Sequence, residues 1–100
     1  MKKVYLFVTQ NVNEEGHVQT LVDVYDDYDK AKAHADSNAD AQKMIEGDCV
    51  KSQFEFEGSQ NCPTVPGFEF QDAIYVVETN TEFRGRKCTT YRAVFSTNIL

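Results

Sequence analysis

Between Asp27 and Gly47 the chain carries a pattern that suits an amphipathic helix lying close against an apolar layer. Tyr28, Ala31, Ala35, Asn38, Gln42 and Ile45 recur at spacings of three and four, which puts them on one helical face. Ala39, Ala41 and Met44 flank that stripe. The Asp27 carboxylate can accept from amides of the first turn, and Asp29 sits where the helix dipole favours negative charge. Gly47 supplies a residue able to end the helix in the left-handed conformation. The spacing therefore predicts a helix over residues 28–46. Its buried side is rich in alanine, so a larger side chain at Ala31 or Ala35 should be poorly tolerated.

A helix of this kind needs a sheet to bury against, and the flanking sequence offers five strand-like segments. Val4 to Val8 are all apolar, which suits an interior strand over residues 3–9. Residues 10–16 are polar and turn-forming. Residues 17–25 then alternate, with Val18, Thr20, Val22 and Val24 on one face and Gln19, Leu21 and Asp23 on the other. Residues 50–57 alternate most cleanly, with Val50, Ser52, Phe54 and Phe56 expected inside and Lys51, Gln53, Glu55 and Glu57 outside. Residues 58–67 hold both prolines and read as a loop. A fourth strand is expected over 68–78, with a bulge near Gln71-Asp72, and a fifth over 87–96. The last two should pair as a hairpin across residues 80–86. The order is ββαβββ, an α+β fold with one mainly antiparallel sheet and a single helix on one face.

One hundred residues make one domain, residues 1–100, and 41% hydrophobic content separates the chain from disordered sequences. Tyr5 and Phe7, Phe54 and Phe56, and Phe68 and Phe70 are the expected core anchors. The apolar run 4–8 stops at polar Thr9-Gln10-Asn11, so the N-terminus reads as a strand and not as a signal peptide. No run is long enough for a membrane helix. Cys49, Cys62 and Cys88 are odd in number and form no CxxC pair, which fits reduced thiols in a cytoplasm. A net charge of −6 argues against direct binding to nucleic acid or anionic membranes.

Candidate chemistry is sparse. Cys62 lies in the 58–67 loop, where a thiolate would need a basic neighbour that the spacing does not provide. His17 and His34 have no ligand-like partners at helical or strand spacing, and capping accounts for Asp26, Asp27 and Asp29. No catalytic residue, metal site or cofactor is therefore expected. Arg84, Arg86, Lys87 and Arg92 form the one basic region, with Arg84, Arg86 and Arg92 able to share a strand face toward phosphate or a carboxylate-rich partner. The acids Glu55, Glu57, Asp36 and Asp40 form the opposite candidate, an acidic surface on the third strand and the helix.

Lys2-x-Val4-Tyr5 at the start, a second strand ending in Val24-Tyr25, and then Asp26-Asp27-Tyr28-Asp29-Lys30-Ala31 form a run with a recognisable look. Over about the first forty residues it resembles small bacterial and bacteriophage α+β accessory proteins in which a hairpin runs into a capped helix. The resemblance implies a short accessory gene product and transfers no catalytic residues. Together these readings predict a non-enzymatic module that acts by protein–protein contact. An acidic imitation of nucleic acid is a second reading, and a small-molecule or hydrolytic site joining the basic hairpin to Cys62 is a third. Self-association as a homodimer through a sheet edge is a further expectation.

Overall fold

A computed structural model describes residues 2–69 and 72–99. Five strands and one long helix follow in the order β1 (Lys2–Asn13), β2 (Val18–Tyr25), α1 (Tyr28–Glu46), β3 (Val50–Glu57), β4 (Ala73–Phe83) and β5 (Arg86–Ile99), with a 3₁₀ turn at Gly47–Cys49 between α1 and β3. The sheet is antiparallel throughout, with spatial order β2-β1-β5-β4-β3. The α+β architecture read from the sequence is thus the one observed, and it places the first strand beside the last.

The helix begins where its cap dictates. Asp27 is extended (φ −138, ψ 130) and its Oδ1 accepts from the Asp29 amide at 3.0 Å. Ala31, Ala35 and Ala39 are fully buried against Phe7, Tyr75, Val77 and Val94. Alanines here let the helix axis approach the large rings beneath it. The stripe ends earlier than its periodicity suggests: Met44 and Ile45 are 85% and 83% exposed, because the last turn of α1 carries them clear of the apolar part of the sheet.

The other face of the sheet has a second cover. Val65 inserts among Val8, Ala73, Val76, Ala93 and Phe95, and Phe68 stacks on Phe95 with ring centroids 5.3 Å apart. The 58–69 segment is therefore a packed layer on the side opposite the helix. It is held by backbone and amide bonds: Gly58 N–H to the Ile74 carbonyl at 2.9 Å, Asn61 Nδ2 to the Glu57 carbonyl at 2.9 Å, and Gln10 Nε2 to the Pro66 carbonyl. Gln10 is fully buried, and its Oε1 accepts from Thr20 Oγ1 at 2.7 Å, so its amide is used at both ends. Gly67 lies at φ 86, and a Cβ there would come within 2.7 Å of Gln10 Nε2, so the clamp needs glycine.

Several sequence expectations are corrected here. β1 continues through Gln10-Asn11-Val12-Asn13, because those amides bond across strands or close the β1–β2 turn rather than forming a loop: Asn11 Oδ1 accepts from Thr90, and Asn13 Oδ1 from the amides of Glu15 and His17. β4 starts at Ala73, with its register shift between Ala73 and Tyr75; Phe68 belongs to the packed loop, while Phe70 and Gln71 lie outside the described residues. The β4–β5 hairpin closes at Arg84-Gly85, both at positive φ (52 and 79), so residues 80–83 and 86 are strand. Two central residues at positive φ match the twist of a hairpin, but only glycine and asparagine adopt that backbone without cost. Phe54 is 50% exposed and Phe56 half-buried, since β3 is an edge strand and its outer rings are only partly covered by the loop.

Candidate functional site

The acids singled out in the sequence gather in part. Glu55 and Glu57 project to the helix side of β3, opposite Val77 and Tyr75 of β4. Lys32 of α1 reaches down to Glu57 Oε2 at 2.9 Å, and its ammonium stands 5.0 Å from the centroid of the Tyr75 ring. Tyr75 in turn donates from its hydroxyl to Asp36 Oδ1. Asp36, Glu55 and Glu57 thus converge around one buried tyrosine, while exposed Asp40 lies one turn farther along α1. Burial, then the Asp36 hydrogen bond, pushes the Tyr75 phenol far above its ordinary value. The hydrogen bond to Glu57 raises Lys32. Two of the four acids are therefore engaged in tying the helix to the sheet.

The basic candidates stay apart from Cys62. Arg84 lies in the β4–β5 turn and Arg86 just after it, with the Arg84 guanidinium 5.0 Å from the centroid of the Phe83 ring. Cys62 packs under the loop, its thiol toward the Phe56 carbonyl at 3.6 Å, and Phe56 pairs with Val76 near the other end of β4. Burial, then Glu57, raises the Cys62 thiol above its ordinary value, which keeps it protonated at neutral pH. Arg92 is separate again: it lies on the helix side of β5 and is nine-tenths buried.

The two edges of the sheet differ in a way that bears on docking. β3 carries Lys51, Glu55 and Glu57, and its register shifts between Val50 and Ser52; charges and bulges are devices that discourage further strand pairing. β2 has neither. Its only charge is Asp23, it contains no lysine or proline, and its pairing with β1 runs unbroken from Val18 to Tyr25. Val18, Val22 and Val24 point to the loop side and Leu21 to the helix side, and all four are exposed, Val24 by 65% and Leu21 by 63%. The sequence shows the alternation of β2 but not that its apolar positions face solvent. Position in the sheet decides that, and strand order is set by long-range pairing. Among the described residues no helix is long and apolar enough to cross a membrane. Comparison with known proteins finds no matching family model, no matching curated protein and no matching solved structure.

Proposed function

We propose that the protein is a non-enzymatic binding module that works by protein–protein contact along β2, and that the strand it accepts is β2 of a second copy. The observation that carries this reading is the unprotected, unbulged edge, with apolar side chains in solvent on both of its faces. An exposed strand edge of that kind is a template for another strand.

The charge pattern of β2 suits its own image. Antiparallel pairing about a two-fold axis at Leu21 sets Leu21 against Leu21, Val22 against Thr20, Asp23 against Gln19 and Val24 against Val18. No like charges oppose each other, and the aliphatic positions on both faces continue across the seam. The result is a ten-stranded antiparallel sheet with both helices on one side. A cytoplasmic accessory protein of bacterial or phage type is the setting that the N-terminal resemblance suggests for such a module.

Sedimentation velocity from about 1 to several hundred µM tests the reading, a range that spans the affinities of modest interfaces. The wild type should shift from monomer to dimer, and Leu21→Lys with Val22→Lys should remain monomeric with an unchanged melting profile. A wild-type chain that stays monomeric throughout rejects the second copy as the occupant of β2.

A further inference from the structure

Arg92 is buried to 9% exposure between β5 and α1, and among the described residues no carboxylate lies within ion-pair distance of it. Its Nη1 donates to Gln42 Oε1 at 2.7 Å, while its buried Nε has no hydrogen-bond partner among the described residues. Burying a guanidinium without a paired anion is costly, because its hydration is lost and only partly replaced. Burial accordingly depresses its basicity, with Glu46 acting in the opposite direction. Glu46 itself is exposed and accepts from Gln42 Nε2 at 3.0 Å, so it does not reach the cation.

A crevice of about 390 Å³ opens beside this arginine, lined by Asn11, Asn38, Gln42, Glu46, Thr90 and Arg92. That volume lies in the range of sites that hold small ligands, roughly 300–1,000 Å³. The lining is already oriented. The Gln42 amide is fixed by Arg92 on its oxygen and Glu46 on its nitrogen, and the Asn11 oxygen accepts from Thr90 at 2.9 Å, which leaves the Asn11 NH₂ to donate. Asn38, one turn before Gln42 on α1, brings a further amide.

We infer that this crevice binds a small monovalent carboxylate, with Arg92 supplying the charge and the amides of Asn11 and Asn38 the neutral donors. A carboxylate fits better than phosphate because one cation faces it and Glu46 stands at the rim, which disfavours a dianion. The site is independent of the β2 edge, since Arg92 and Asn38 do not belong to that strand.

Amide chemical-shift titration of the full chain with sodium acetate, sodium chloride and sodium phosphate at constant ionic strength tests the inference. Acetate should give saturable shifts confined to residues 10–12, 38–46 and 90–92, and chloride should give none. Arg92→Met should abolish saturation, and Asn38→Ala should weaken binding roughly three- to tenfold. Glu46→Gln should tighten it by about three- to fivefold by removing a neighbouring negative charge; an arginine with only a structural role would not produce that gain. Should Arg92→Met fail to fold, the Asn38 and Glu46 variants carry the test alone. Equal or non-saturating shifts with acetate and chloride overturn the site as an adventitious ion only. Saturation by phosphate without saturation by acetate overturns the carboxylate assignment.

Discussion

The two faces of the sheet are covered by different kinds of structure, and they depend on different things. On one side a helix that satisfies its own backbone lays Ala31, Ala35 and Ala39 over Phe7 and Tyr75. On the other an irregular segment inserts Val65 and Phe68 over Val8, Val76 and Phe95. Apart from side-chain bonds such as those of Lys32 to Glu57 and Tyr75 to Asp36, the helix can dock by shape. The loop cannot, because its backbone groups need outside partners, and the carbonyl of Pro66 finds one in Gln10. Size should thus be the sensitive variable on the helix face, and hydrogen bonding on the loop face.

The largest expected effect strikes the loop face through its ring stack. Phe95→Ala should cost about 3–5 kcal/mol in denaturant unfolding, since a fully buried ring is removed and Phe68 loses its partner. On the helix face the sharper experiment is enlargement. Ala35→Leu should cost about 1–3 kcal/mol, whereas the same change at exposed Ala41 should be close to neutral. Equal effects at both positions would break the claim that shape limits this face.

Gln10→Leu should also cost about 1–3 kcal/mol, because it leaves the Pro66 carbonyl without its donor. Hydrogen exchange should accelerate in residues 58–69 and leave α1 protected. Exchange that quickens equally in the helix would show that the two covers are not separable.

Alkaline pH should bear on both faces, through Tyr75 on the helix side and through Cys62 and Tyr91, also raised by burial, on the loop side. The Tyr75 phenol is raised above its ordinary value of 10.0, so its contribution is complete below pH 10 and declines as pH rises beyond it, where the unfolded chain releases the proton first. Wild type should therefore lose stability above pH 10 more steeply than Tyr75→Phe. Arg84→Asn, at a turn that belongs to neither cover, should give the smallest change, a gain of roughly 0.5 kcal/mol from relief of the positive φ.

How far the sequence disclosed this arrangement follows the range of each interaction. The Asp27 cap, the bounds of α1 and the Ala31/Ala35 contact are local, and periodicity was enough to read them. The alternation of β3 correctly separated Phe54 and Phe56 from Glu55 and Glu57. It could not tell which side held the helix, and the acids turn out to face α1 through Lys32. Gln10 and Asn11 look like turn residues because their partners Pro66 and Thr90 are 56 and 79 positions away, whereas Asn13 does close the β1–β2 turn. Strand alternation groups Arg92 with Arg86 on one face of β5, but six residues of strand separate them, and the reach of α1 places Arg92 in a crevice of its own.

Pairing of β1 with β5 joins Lys2 to Ile99 and Val12 to Thr89. On a ribosome, the N-terminal strand must therefore wait for almost the whole domain to emerge before its central neighbour exists. Until then β1 and β2 can form only a two-stranded hairpin, and the valines later covered by β5 and the loop stay wet. Closing loops of that length is slow, so refolding should take milliseconds to seconds, as in other domains dominated by distant strand pairs. The β4–β5 hairpin, with its two-residue turn, can form on its own and then present β5 to the waiting strand.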